Sequence, residues 1–315
     1  MKLFYLFIAL FITVSSFAQT TTDDDHYQYE VEIGTDNDFL VIAAESDRYY
    51  TYGINSTFRW RNEKPIFLDK WFSKKIGYFQ SVGLNIEAYT PDYEREDTET
   101  DRPYAGWSYA EFAVTYGFKK SFLSFGVDLG ILGPDSQAGA LQNWFHEHVS
   151  GDPVLDWSNQ IENQFGFNIR GVYAHTLFAK KNFDVYGVAD VSLGNIFAYV
   201  NPGVNFRFGK FNPLSQTAAF QNSLLANKSN REFYMDAGIA LKFSGFNATI
   251  QGDKIEDLNF LDSEFINNLF LNGHVGGYYS SNRWTVGVRY MYSSGELSDN
   301  DSQQYTMLTG LYRFN

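Results

Sequence analysis

Apolar and polar residues alternate with a period of two through most of this chain, in segments of about ten residues; 109–118, 199–208 and 283–292 are clear examples. In the last of these, one row consists of Trp284, Val286, Val288, Tyr290 and Tyr292. A period of two puts the two rows on opposite faces of a β-strand. About ten residues is also the length of a tilted strand that crosses a bilayer. A soluble sandwich alternates too, so composition must decide between sandwich and membrane barrel.

The composition favours a membrane barrel. Aromatic residues make up 18% of the chain, with 30 Phe, 22 Tyr and 6 Trp, yet the mean hydropathy is −0.31. Amphipathic strands between lipid and water combine these two properties, whereas membrane-spanning helices would raise the mean hydropathy. The net charge of −13 argues against a nucleic-acid partner, and the absence of Cys excludes disulfides, thiolate metal sites and Cys nucleophiles.

The first 18 residues have the features of a secretory signal peptide. Lys2 supplies the positive start, an apolar core runs from Leu3 to Val14, and Ser16-Phe17-Ala18 is a small-x-small cleavage site. We predict that residues 1–18 are removed and that residues 19–315 form a single outer-membrane β-barrel domain. The alternative is an N-terminal membrane anchor, for which the apolar core is short.

The number of strands follows from parity. A first count gives thirteen segments, but a bacterial single-chain barrel has an even number of strands with both ends in the periplasm. Merging 231–243 with 245–252, as one strand bent at Gly245, gives twelve. Four long connections are predicted to be extracellular: 91–105, 134–164, 253–269 and 294–303. The stretch 210–230 is then an unusually long periplasmic turn. We predict an all-β fold: a twelve-stranded antiparallel transmembrane β-barrel with a short helix in one extracellular loop.

That helix is predicted in the loop 134–164. Residues from Gln137 to Val149 contain no β-branched residue before the last position. Asp135 or Ser136 can cap the start, and Gly151-Asp152-Pro153 ends the helix.

This helix and two strand ends carry the candidate site. Gln142 and His146 are four residues apart and share one helix face, whereas His148 is rotated by about 200° from His146. The first strand ends in Thr35-Asp36-Asn37-Asp38, and the second begins near Asp47-Arg48. The imidazole can act as a base that activates a water molecule, and the hard oxygens can bind a divalent cation. A serine acyl-enzyme is disfavoured, because no G-x-S-x-G motif is present.

Each candidate also has a purely structural explanation. A single loop His is usually a packing or surface residue, and Asp or Asn at a strand end commonly forms an Asx-turn. Asp47-Arg48 can be an ion pair, and Asp101-Arg102-Pro103-Tyr104 a loop anchor. The acidic run from Glu94 to Asp101 is typical of a solvated loop.

The chain resembles the outer-membrane lipid A 3′-O-deacylase family, the LpxR type. The resemblance rests on ordered pieces along nearly the whole mature chain: Asn37-Asp38, Asp47-Arg48 with Tyr50-Thr51-Tyr52-Gly53, Asp101-Arg102 before Trp107, Leu132-Gly133-Pro134-Asp135, Gln142-Asn143-x-x-His146, Trp157 to Asn163, and Gly194-Asn195 with the segment to Gly209. The family is described as a twelve-stranded barrel, in agreement with the parity argument.

The resemblance implies a Ca²⁺-dependent ester hydrolase. His146 would take a proton from the water that attacks an acyl ester of lipid A, the 3′-O-linked acyloxyacyl chain, and Ca²⁺ would stabilise the oxyanion. Four further residues match family active-site positions: Gln142, Asn37, Asp38 and Thr51. Asp38 is then the best metal ligand. Asp152 takes the place of a family Glu that follows the His at a different spacing. Arg48 and Arg102 are candidates for substrate binding.

The resemblance also sets the expected surroundings. We expect a monomer in the outer membrane that acts on lipid A, or lipopolysaccharide, in the outer leaflet. Two alternatives stay open: a non-enzymatic porin or surface-interaction barrel, and an outer-membrane phospholipase. Strict alternation puts Asn37 in the outward row with Ile33 but Asp38 in the lumen row. Both can face one site only if the strand bulges or ends between Asp36 and Asp38.

Overall fold

Twelve antiparallel strands close into one barrel. The computed structural model describes residues 25–38, 48–62, 64, 66–92, 101–253, 258–259, 263–297 and 302–315. The barrel strands are β1 (Tyr29–Asn37), β2 (Tyr49–Arg61), β3 (Gly77–Thr90), β4 (Ala105–Gly117), β5 (Ser121–Leu132), β6 (Gln164–Lys180), β7 (Phe183–Gly194), β8 (Phe197–Lys210), β9 (Arg231–Asn247), β12 (Leu269–Ser281), β13 (Trp284–Ser293) and β14 (Gln303–Phe314). Strands β10 (Gly252–Asp253) and β11 (Leu258–Asn259) form a separate ladder.

The strand order confirms the predicted twelve-stranded antiparallel barrel. Each barrel strand pairs with its neighbour in the chain, β9 pairs with β12, and β14 closes on β1. The predicted signal peptide, 1–18, lies outside the described residues. Among the described residues, no helix is long and apolar enough to cross a membrane.

The helical elements are short and lie in the connections. In the described part of the chain they are α1 (Ala138–Phe145), a π-helical turn (His146–Ser150), α2 (Ala248–Gln251), and six 3-10 turns: Phe67–Trp71, Pro134–Ser136, Leu214–Gln216, Ala218–Phe220, Ser223–Leu225 and Ser263–Phe265. The predicted helix in the loop 134–164 is therefore confirmed as α1 with the π-helical turn.

The two faces of the strands differ as the alternation predicts. The apolar row of β13 is exposed on the outside of the barrel; Trp284 is 59% and Val286 58% exposed. The opposite row lines the lumen with paired polar groups. Asp236, for example, accepts hydrogen bonds from Tyr186 and Arg289, and its carboxylate lies 2.7 Å from His274 Nε2. The barrel is thus apolar toward lipid and filled with a polar network inside.

The long turn 211–230 folds back into the lumen, where we call it the plug segment. Leu214 and Leu224 are fully buried, against the inward faces of β5 to β7 and of β3 respectively. Arg207 of β8, also fully buried, donates to the Asn212 carbonyl at 3.1 Å and to the Thr217 hydroxyl at 2.9 Å. Both apolar packing and polar contacts therefore hold this segment across the end of the barrel that carries the chain termini.

The opposite end of the lumen is also filled. Trp107 of β4 is 1% exposed and packs with Ile161, Ile196 and Ala248, which come from three different connections. Apolar side chains from the loops therefore cover the polar lumen at the extracellular mouth.

Strand β9 confirms the merger at Gly245 but ends earlier than predicted. Its register with β8 shifts between Ala198 and Tyr199, which leaves Gly245 as the extra residue of a bulge. The prediction that the strand continues to 252 was wrong, because the chain turns helical after Asn247. The Asn247 side chain accepts a hydrogen bond from Thr249 N at 3.0 Å and caps that turn.

Candidate functional site

Helix α1 packs on the outer, lipid-facing wall of the barrel. Register places Tyr52, Ala88 and Gly106 side by side on the outward faces of β2, β3 and β4. Tyr52 donates a hydrogen bond to the Ala138 carbonyl at 2.7 Å, and Ser108 donates to the Ser136 carbonyl at 2.7 Å. The start of the helix is thereby fixed to the wall.

Glycine at position 106 makes this close approach possible. A Cβ atom on Gly106 would lie 2.2 Å from the Ser136 hydroxyl oxygen and 2.7 Å from the Ala138 Cβ atom. A second glycine, Gly139, lies on the opposite side of the helix. Because it has no side chain, the Trp157 ring of the returning loop can pack directly against the helix there. The helix is therefore held between the barrel wall and the returning loop.

The loop after the helix orients the imidazole of His146. The π-helical turn closes with a hydrogen bond from Gly151 N to the His146 carbonyl, and Gly151 has a φ of 80°, which favours glycine. The chain then returns so that the Pro153 carbonyl lies 2.7 Å from His146 Nδ1. A carbonyl oxygen only accepts hydrogen bonds, so Nδ1 donates and the lone pair of the neutral ring is on Nε2.

A pocket of about 170 Å³ lies between the helix and the barrel wall. Its lining residues are Thr35, Asn37, Thr51, Tyr52, Ile54, Leu141, Gln142, Trp144, Phe145, His146 and Asp152. Asn37 pairs with Tyr52 and Thr35 with Ile54, and paired residues share the face that carries Ile33, which is 49% exposed. The pocket therefore belongs to the lipid-facing side of the barrel, next to its apolar band.

The structure brings together five of the residues predicted for the site: Asn37, Thr51, Gln142, His146 and Asp152. Gln142 and His146 are both 3% exposed, as expected for residues on one inward helix face. His148 points elsewhere, since its ring stacks on Trp144 and its side chain is 57% exposed.

The change of strand geometry expected between Asp36 and Asp38 is present. Strand β1 ends at Asn37, and the register of β2 with β3 shifts between Tyr50 and Tyr52, which leaves Thr51 as an extra residue. Asp38 is 3% exposed, and its carboxylate accepts a hydrogen bond from Arg48 N at 3.1 Å. Asp38, the residue predicted as the best metal ligand, is therefore buried against the start of β2 and does not line the pocket.

The two predicted substrate-binding arginines are placed differently. Arg48 lies at the rim, with Nη1 3.4 Å from the Asp92 carboxylate. Arg102 is 3% exposed, donates to the Thr249 hydroxyl at 2.8 Å, and lies against the Tyr89 ring. Burial lowers the pKa of Arg102, and Glu296, 3.8 Å away, opposes this shift. Arg102 is therefore a loop anchor inside the barrel mouth and is not part of the pocket.

The pocket lining includes side chains with oxygen atoms of the kind that bind Ca²⁺. Within the part of the chain that the structure describes, no three acidic or His side chains form a metal-binding group. The pocket lining nevertheless includes Asn37, Thr51, Gln142 and Asp152, whose side chains carry hard oxygens; Asp38 is not among the lining residues. Calcium prefers such oxygen ligands, and its affinity falls as the number of carboxylates falls.

Sequence reasoning missed several contributors to the site. Tyr52 was noted only as part of a motif, yet it ties the helix to the wall, and the Pro153 carbonyl orients the imidazole. Apolar Leu141 and Phe145 line the pocket. Their spacing of four on the face that also carries Gln142 and His146 was an available signal.

A family model and a search of solved structures both find proteins similar to this chain. A family model described as "Outer membrane protein LpxR" matches residues 6–314. Among solved structures, "LpxR from Salmonella typhimurium" superposes with a TM-score of 0.72 at 19% identity, covering 90% of this chain and 100% of that one. The β-domain of the Bordetella autotransporter BrkA, at 9% identity, covers 92% of this chain and 99% of that one with a TM-score of only 0.49. A search of curated protein sequences finds no match.

Proposed function

This chain belongs to the LpxR family of outer-membrane proteins, and we propose that it is a lipid A deacylase whose active site is the pocket beneath α1. The bond cleaved is an acyl ester of lipid A, and the family resemblance favours the 3′-O-linked acyloxyacyl chain. We expect the protein to act as a monomer.

One observation carries the proposal: a buried imidazole with its lone pair on Nε2 lies in a pocket on the lipid-facing side of the barrel rim. The wall of that pocket is partly apolar, with Ile54, Leu141 and Phe145 among its lining residues. An acyl chain of the outer leaflet can reach such a pocket sideways from the bilayer, with its ester near the headgroup boundary. A water-soluble substrate would not require a pocket on the lipid-facing side of the barrel.

His146 acts as general base in the proposed reaction. Its Nε2 takes a proton from a water molecule, and the water oxygen forms a bond to the ester carbonyl carbon. The bond from that carbon to the sugar oxygen then breaks, and the protonated imidazole returns its proton to that oxygen. The products are a free fatty acid and a lipid A hydroxyl. The Pro153 carbonyl keeps the ring in the required tautomer and stabilises it while it is positively charged.

Calcium would be held by the oxygens of Asn37, Thr51 and Asp152, and Asp38, which follows Asn37 in the chain, would supply a second carboxylate. When bound, the ion supplies positive charge that stabilises the developing oxyanion. Two carboxylates are few for a tight site, so the expected dissociation constant is on the order of 10⁻⁴–10⁻³ M.

This proposal predicts a requirement for Ca²⁺. Purified protein in mixed micelles with lipid A should release fatty acid only when Ca²⁺ is present, with half-maximal activity at about 10⁻⁴–10⁻³ M free ion. Mg²⁺ at the same concentration should not replace it, because Mg²⁺ demands near-octahedral geometry and dehydrates reluctantly. Full activity after exhaustive chelation would contradict the calcium role while leaving the base assignment intact.

The closed lumen argues against the porin alternative. The plug segment crosses one end, and Trp107 with Ile161 and Ile196 fills the other, so the described residues provide no wide aqueous path. The phospholipase alternative shares the same ester chemistry, and the identity of the released lipid distinguishes it.

A further inference from the structure

The side chain of Asn143 joins α1 to the loop that orients His146. Its Nδ2 donates to the Leu155 carbonyl at 3.0 Å, and its Oδ1 accepts from Leu155 N at 2.9 Å. An amide that makes both bonds to one residue mimics a backbone pair and fixes that residue in position and direction. Asn143 is one residue after Gln142, so it leaves the helix on a different face from the pocket.

These two bonds set the position of the Pro153 carbonyl. Pro153 lies two residues before Leu155, and its φ angle is restricted by the proline ring. The Leu155 side chain also packs against the cluster of Tyr52, Ala138 and Trp157 beside the barrel wall. The end of the segment 153–155 is therefore attached to the helix, while Gly151, Asp152, Pro153 and Val154 are exposed.

We propose that Asn143 is a positioning residue for the His146 base, resting on the deacylase function proposed above. Without the Asn143 bonds, side-chain packing of Leu155 and the hydrogen bond from Gly151 N to the His146 carbonyl still hold the two ends of the exposed segment, but the backbone at Leu155 is no longer fixed. The Pro153 carbonyl is then held less firmly and selects the tautomer with hydrogen on Nδ1 less strictly. Neutral imidazole then also populates the form with hydrogen on Nε2, which cannot take a proton from water there. Asn143 itself touches neither the pocket lining nor the substrate in this proposal.

The first test uses kinetics. Asn143→Ala should lower kcat about 10-fold with KM nearly unchanged, because the ring is misoriented while the apolar wall is intact. Asn143→Asp keeps the acceptor for Leu155 N but loses the donor, so an intermediate loss is expected. In a His146→Ala background, Asn143→Ala should cause no additional loss, since its effect acts through the ring. An equal further loss in that background would overturn the proposal.

The second test does not depend on activity. The chain has five His residues, so ¹⁵N-histidine spectra of the detergent-solubilised barrel are simple, and His146→Ala assigns the His146 signals. At a pH where the ring is neutral, intact protein should show hydrogen on Nδ1, and Asn143→Ala should shift the signals toward a mixture of tautomers. Unchanged signals together with unchanged kcat would overturn the proposal. Absence of deacylation in the intact protein, with the tautomer shift present, would remove the deacylase function and keep the positioning role.

Discussion

His146→Ala is expected to reduce the rate of fatty acid release from lipid A by about 10²–10⁴-fold, the range that a general base contributes. The imidazole of His146 is the only nitrogen base among the residues that line the described pocket. KM should change little, because the apolar wall that receives the acyl chain stays in place. Initial rates of fatty acid release by the purified barrel measure the effect.

His148→Ala is the matched control for that variant. It removes the same side chain two residues further along the same helical segment, where the ring is exposed and stacks on Trp144. Its rate should stay within about two-fold of the unmodified protein, because surface substitutions of this kind change little. Equal losses in both variants would show that the helix, rather than the His146 base, had been damaged.

Gly106→Ala is expected to lower kcat by about 10²-fold while the barrel stays folded. The added Cβ would lie 2.7 Å from the Ala138 Cβ atom, which cannot rotate away, so the start of α1 must move off the wall. A displacement of the His146 base by about 1 Å from a bound ester is enough to lower kcat by about 10²-fold. Kinetics with lipid A micelles, together with the heat-dependent gel mobility of the barrel, separate activity from folding.

Gly277→Ala in β12 is the control for a Gly-to-Ala change in a barrel strand. No atom lies within 4 Å of its added Cβ, so activity and barrel folding should both be unchanged. Normal activity of Gly106→Ala would mean that the close contact between helix and wall is not needed for the site.

The barrel was predictable because the alternation of apolar and polar residues within each strand indicates which face contacts lipid and which faces the lumen. The alternation in 283–292 shows which side faces lipid, and the requirement for an even number of strands corrected the count at Gly245. The placement of Gln142 and His146 on one helix face was also predictable from local sequence, since residues four apart in a helix lie on the same face. These features need no knowledge of distant residues.

The remaining features depend on contacts that the sequence does not display. The carbonyl of Pro153 and the backbone of Leu155 are groups that every residue carries, so no residue type signals their role. Arg102 was a candidate for substrate binding through the family resemblance, with a loop anchor as the alternative, and the sequence alone does not distinguish the two roles because both use the same cation. The plug segment has no periodicity, since its apolar residues pack into a lumen whose shape is set by twelve strands.

The mass of lipid A from cells that express the intact chain in Ca²⁺-replete medium tests the central claim most directly. The account predicts lipid A that lacks the 3′-O-linked acyloxyacyl group, which is one fatty acyl chain carrying a second one, and unmodified lipid A in cells with the His146→Ala variant at equal levels in the outer membrane. Lipid A with every acyl chain present, from cells whose outer membrane contains the folded protein, would contradict the account. Accumulation of lysophospholipid in those cells would assign the same pocket to glycerophospholipids instead.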